Sequence, residues 1–267
     1  MDHFTLALKM SVLSLFAGSN LLAAGVAGAA LSLFAYTKIN ERMYTDRAAA
    51  RLNTTYGYIL GGLGISGLTA TALCGTPFAY RILTMNPWVF FGTSLISTIP
   101  LLFGTMSLDY EKNHLAKNAC WAGLCAGIGA SMCTIGFLGP AIIAPAAVAT
   151  AGIVGGLSCV AAFSDPSTFT PYRSILGVGL GGLVGVGLAS LAFPASQFLY
   201  NLHLYGGLVV FSGLLVADTQ KIVRDCNTKI SYDPINSSLS VYLDTMNIFV
   251  KMVQIMSDSK KINKKKD

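Results

Sequence analysis

A chain of 267 residues, 53% of them hydrophobic and only 11% charged, has too little polar surface to cover itself in water; a soluble domain carries about a quarter charged residues. With a mean hydropathy of +0.60, lipid is the expected solvent for most of its length. The net charge of +6 does not indicate nucleic-acid binding, because five of the 18 basic residues form one tail, Lys260, Lys261, Lys264, Lys265 and Lys266, which reads as a membrane-flanking segment.

Eight apolar segments follow in chain order, at about 10–36, 56–80, 87–108, 118–137, 139–163, 174–193, 197–218 and 235–256. The first is too long for the apolar core of a signal peptide, and the stretch after it is charged rather than a small-residue cleavage site. It is expected to be a true span. No Asp, Glu, Lys or Arg occurs from Asn118 to Ser164 or from Ser174 to Ala217. Each gap is about twice the roughly 20 residues that cross a bilayer, so each reads as a pair of spans. The runs do not alternate, which favours helices over a β-barrel. The expected division is an N-terminal transmembrane helix and basic connection over 1–55, a helical bundle over 56–256 and a basic tail over 257–267. Eight spans would place seven Lys and Arg on one side and ten on the other, which leaves orientation open.

Within the spans, Gly177, Gly181 and Gly185 line one helix face and are expected to admit close helix contact in the bundle. The run Gly177-x-Gly179-x-x-Gly182 matches a dinucleotide fingerprint only formally, since it lies inside a span and no acid follows until Asp218. Cys74, Cys120, Cys125, Cys133, Cys159 and Cys226 form no CxxC pair and read as small core residues. There is no HExxH or GxSxG motif, and there are only three histidines. No enzymatic activity is expected.

The chemistry concentrates near the C-terminal end. Asp244 stands about nine residues into the last segment, or about 14 Å deep at 1.5 Å per residue. A charge there costs at least about 2.5–3.5 kcal/mol, so it should face protein or water. Ser237, Ser240, Asp244, Asn247, Lys251 and Gln254 recur at spacings of three and four, which gathers them on one stripe. Leu239, Val241, Leu243, Ile248, Phe249, Val250 and Val253 make the other face. This helix either lines a polar interior or lies along the membrane surface. Asp218 stands near the end of the preceding segment, in Ala217-Asp218-Thr219-Gln220. The short connection Tyr232-Asp233-Pro234 makes the two helices antiparallel neighbours, so Asp218 and Asp244 can meet at similar depth. Two such carboxylates would share a proton or be bridged by a cation, with oxygen ligands that suit Ca²⁺. The alternative has Asp218 capping its helix and pairing with Lys221. His203, inside the seventh segment, is either a proton relay or a packed, hydrogen-bonded core residue.

Tyr205-Gly206-Gly207-Leu208-Val209, Ala217-Asp218-Thr219-Gln220-Lys221, Tyr232-Asp233-Pro234-Ile235-Asn236-Ser237 and Val241-Tyr242-Leu243-Asp244-Thr245-Met246-Asn247-Ile248-Phe249 resemble the signature of the transmembrane Bax-inhibitor-motif family. Thr150-Ala151-Gly152-Ile153-Val154-Gly155-Gly156-Leu157-Ser158, and Asp46-Arg47 before Thr55-Tyr56-Gly57-Tyr58, are most similar to its mitochondrial member. The resemblance covers about residues 40–256. It implies an all-α membrane protein, a seven-helix bundle preceded by one extra N-terminal transmembrane helix. It implies a pH-sensitive Ca²⁺-permeable channel or Ca²⁺/H⁺ exchanger, with Asp218 and Asp244 as the ion and metal site and no cofactor besides the transported ions. The implied location is the mitochondrial inner membrane, or alternatively the endoplasmic reticulum or another internal membrane. The resemblance also implies roles in cristae organisation and apoptosis control, with inner-membrane proteins and cytochrome c as partners. The alternative function is a non-conducting scaffold that maintains cristae and retains cytochrome c. Bacterial relatives latch the aspartates with an Arg in an early span, whereas Pro87 to Leu108 contains no Arg or Lys here.

Overall fold

A computed structural model describes residues 46–164 and 168–263. The expected span at 10–36 and the tail lysines 264–266 lie outside the described residues. The helices are α1 (Asp46–Leu73), α2 (Pro77–Thr84), α3 (Pro87–Ser107), α4 (His114–Ser131), α5 (Pro140–Phe163), α6 (Arg173–Ala192), α7 (Gln197–Asn201), α8 (Gly207–Thr228) and α9 (Pro234–Asn263). A 3₁₀ turn, Cys133–Leu138, follows α4, and a π turn, Leu202–Gly206, joins α7 to α8. The described residues contain no strand. Seven of the helices have 18 residues or more, and together they form an all-helical membrane bundle.

Local chemistry sets several of the breaks. Proline opens α2, α3, α5 and α9, where its missing N–H costs nothing. Asn86 caps α3 by accepting the Trp88 N–H at 2.9 Å. The segment expected as one span at 56–80 is two helices. The chain leaves α1 at Leu73, turns at Gly75 with φ +80°, and re-enters a helix at Pro77 bent by 92°. Only glycine adopts that φ without strain, and Pro77 cannot continue the previous ladder. The first described helix, α1, covers Asp46–Leu73 and so includes residues on both sides of position 55.

Five segments are long and apolar enough to cross a membrane: Pro87–Ser107, His114–Leu138, Pro140–Ala162, Thr170–Ala192 and Gln197–Thr228. The bent pair α1–α2 qualifies as a sixth. Helices α3 and α6 turn Ile96, Phe103, Ile175 and Val178 outward, the side chains a hydrocarbon surroundings accepts. Helix α9 is too polar to qualify, yet it is the central helix, packed on α1, α5 and α8. Ile235, Leu239, Tyr242, Ile248 and Val253 are buried from it on several sides. A surface-lying α9 is therefore excluded.

The outward face of α6 corrects a second expectation. Among the described residues a Cβ at Gly177, Gly181 or Gly185 would meet nothing within 4 Å, so this stripe faces away from the described helices. Close contacts occur elsewhere, at Gly62 against Tyr242 and at Gly129 against the Ser66 backbone.

Two basic side chains tie one end of the bundle together. Lys117 is fully buried and spends its donors on Asp233 (2.6 Å), the Leu108 carbonyl (2.7 Å) and Asn236 Oδ1 (3.0 Å). Arg51 donates to the carbonyls of Cys226 (3.1 Å), Lys229 (2.7 Å) and Ile230 (2.9 Å), at and just beyond the end of α8. These include acceptors a helix terminus leaves free. Its guanidinium also lies 5.3 Å from the Tyr232 ring centroid. The start of α1, the start of α4 and the α8–α9 turn thus form one fixed unit, which sets the register of α8 against α9.

Candidate functional site

With that register, Asp218 of α8 and Asp244 of α9 both turn into the interior, 4% and 6% exposed. Ser240, one helical turn before Asp244, stands near the Asp218 carboxylate, and Asp218 and Asp244 feel each other electrostatically. The two carboxylates expected to meet are brought into one site. Asp218 does not cap its helix, which continues to Thr228.

The charge facing them is Arg173, the first residue of α6. Its Nε lies 2.8 Å from Asp218 Oδ1, and it also acts on Asp244. That same Oδ1 receives no aligned hydrogen bond, so the contact is an ion pair without hydrogen-bond geometry. Lys221, the partner considered from sequence, contributes only from farther away. Arg173 looked ordinary in the sequence because a basic residue at the start of a span is common. Nothing in its spacing pointed to Asp218, 45 positions later. Two residues past Asp218, the Gln220 side chain accepts the Phe169 N–H at 2.8 Å. The connection between α5 and α6 is thereby pinned over the Asp218 end of the site at Gln220 and Arg173.

Asp244 Oδ2 is buried and has no hydrogen-bond partner among the described residues. A buried carboxylate oxygen in that state calls for a proton, water or a cation. The two carboxylates share one guanidinium at close range, with Lys221 acting on Asp218 from farther away. No group of three or more His, Cys, Asp or Glu stands together among the described residues. Two carboxylates and the Ser240 hydroxyl would supply fewer than the six to eight oxygens that Ca²⁺ takes. Water would complete the shell, which fits an ion in transit better than a resident structural ion.

The rest of the polar stripe divides into two zones. Ser237, near the α9 start, stands close to Tyr232, whose hydroxyl meets Thr55 Oγ1 at 2.7 Å. Asn247 donates to the Leu243 carbonyl of its own helix at 2.8 Å. Lys251 is 4% exposed and lies against Gly207, where the π turn ends. His203 belongs to this second zone rather than to the carboxylates. It sits in the π turn, near the Leu183 backbone and Lys251.

The model of a single family, described as inhibitor of apoptosis-promoting Bax1, matches residues 48–261. Growth hormone-inducible transmembrane protein from Rattus norvegicus is 35% identical over 216 residues, 78% of this chain and 62% of that protein. The chain thus spans less than two thirds of that relative's length. Bax inhibitor 1 from Homo sapiens is 28% identical over 173 residues, 64% of this chain and 72% of that protein. Bax inhibitor 1 from Arabidopsis thaliana is 31% identical over 117 residues, 44% and 47% of the two chains. The family match runs from the first turn of α1 into the last turns of α9, across both carboxylates and Arg173, and by it this chain belongs to the Bax1-I family of membrane proteins.

Proposed function

We propose that the bundle is a pH-sensitive cation pathway, a Ca²⁺-permeable channel or Ca²⁺/H⁺ exchanger of the mitochondrial inner membrane, with Asp218 and Asp244 as its ion site. The observation that carries this reading is the pair of buried carboxylates served by one half-exposed guanidinium, with Asp244 Oδ2 left unpartnered. Such a site is completed by either a proton or a cation, so the two compete for it. Arg173, 40% exposed, is the counter-charge that an entering cation displaces from Asp218. It supplies from the start of α6 the latch that α3 lacks. No catalytic step belongs to this reading, and its apoptosis and cristae roles follow from ion handling.

The test is Ca²⁺ flux into proteoliposomes of the purified chain at pH 6 and pH 8. Flux should differ between the two, and Asp244→Asn should reduce it at least about tenfold. Unchanged flux in Asp244→Asn would remove the site assignment. One observation favours a second reading, a non-conducting scaffold that holds inner-membrane partners and retains cytochrome c. The open glycine face of α6 leaves room for a close-packed partner helix. Partners recovered with the wild-type chain but lost in Gly181→Leu, with no flux in either, would select it.

A further inference from the structure

Past the carboxylates, toward the C-terminal end of α9, the interior carries one buried basic side chain. Lys251 follows Asp244 by seven residues, a rise of about 10 Å along the same face. No carboxylate pairs with it and no hydrogen bond reaches it among the described residues. Its end packs against the backbone of Gly207, where an added Cβ would meet Lys251 Cε at 2.8 Å. Near it is His203, and one turn on along α9 is Gln254; among the described residues His203 Nδ1 and Gln254 Oε1 are buried without partners. His203 cannot neutralise it, since a histidine is either uncharged or positive. The next acid along α9, Asp258, is engaged at the rim, accepting from the Tyr200 hydroxyl at 2.6 Å and lying 3.8 Å from Lys261. The carboxylate end is different: there the opposing charge, Arg173, is half-exposed and held by an imperfect ion pair.

A charge with no counter-charge in a low-dielectric interior repels a divalent cation strongly even at about 10 Å. We infer that Lys251 is the internal positive barrier of this bundle. It raises the barrier to cations in the half of the interior beyond the carboxylate pair, so that ions reach Asp218 and Asp244 more readily from the Arg173 side. This rests on the cation-pathway reading above and adds to it the residue that limits through-flow. His203 and Gln254 are its setting, two unfilled acceptors at which water can solvate the amine. Gly207 is its clearance, because a side chain there would displace it.

The experiment compares Lys251→Met, Lys251→Gln and Lys251→Arg with wild type in Ca²⁺-loaded proteoliposomes, each also combined with Asp244→Asn. The neutral variants keep the bulk and lose the charge, and should raise Ca²⁺ flux at least about tenfold. Lys251→Arg should stay within about twofold of wild type, and the gain should vanish with Asp244→Asn. Two neutral variants of different polarity guard against one that packs badly. Wild-type flux that depends on Asp244 but is unchanged in both neutral variants would overturn the barrier alone. Lys251→Arg raising flux as much as Lys251→Met would overturn it too, by making the effect one of packing. No Asp244-dependent flux in wild type or in any variant would overturn both the pathway and the barrier.

Discussion

Among single residues, the most committed charge is not in the ion site but in Lys117. All three of its donors are used, and one partner, Asp233, also caps α9 by accepting the Asn236 N–H at 3.0 Å. Lys117→Met would strand Asp233 and Asn236 together, at a cost of about 2–4 kcal/mol, because breaking a buried pair leaves the other charge uncompensated. A denaturation midpoint in detergent unchanged from wild type would show that water replaces the lysine. Asp109 gives a prediction of opposite character, at the surface. The N–H groups of Lys112 and Glu111 hold its carboxyl below the ordinary carboxylate range. A carboxyl depressed in the folded state adds stability above its unfolded value of about 3.9, lost as pH falls through the folded value. Stability followed from pH 6 down to pH 3 should therefore fall less steeply in Asp109→Ala than in wild type. Residues of this kind differ in how far sequence reveals them. Asp218 and Asp244 were legible because a carboxylate stands out against an apolar run. Arg173, Lys117 and Arg51 were not, because a basic residue beside a span looks the same whether it meets headgroups or reaches another helix.

The elements repeat that contrast. Segments expected at 87–108, 139–163 and 174–193 became Pro87–Ser107, Pro140–Phe163 and Arg173–Ala192, since apolarity reports helix length well. It does not report hydrogen-bond pattern, so the break at Gly75 and the π turn at Leu202–Gly206 were both missed inside runs that stay apolar. Nor does it report which side of a helix faces inward, which is why the glycine stripe of α6 was assigned to the wrong surface. The difference is measurable. Gly181→Ala has open space, and should be neutral or stabilising by up to about 1 kcal/mol through helix propensity. Gly129→Ala gains the same propensity but drives a methyl into the Ser66 backbone where α4 crosses α1. Overpacking of about 1–3 kcal/mol should win, giving a lower melting temperature. If both variants melt alike, the α1–α4 crossing is looser than its geometry indicates.

At the scale of the molecule, the helix with the least claim to a membrane occupies its middle. In α9 the nine Leu, Ile, Val and Phe side chains from Ile235 to Ile255 offer about −0.3 to −0.6 kcal/mol each on an insertion scale, while Asp244 and Lys251 cost about 2.5–3.5 each. At mid-range the sum is unfavourable. As an isolated test segment α9 should cross a membrane in a minority of molecules, and α5, with no charged residue, in nearly all. Equal insertion of the two would mean that α9 does not depend on its neighbours.

Translation runs from α1 toward α9, so the central helix of this bundle leaves the ribosome after the helices that surround it. Until Pro234 emerges, α1, α5 and α8 can only stand around an unfilled slot with Asp218 facing into it. Lys117 likewise waits for Asp233 and Asn236. A chain stopped before α9 therefore lacks the piece against which α1, α5 and α8 are seated, rather than a dispensable end. It should be recognised and degraded as a whole.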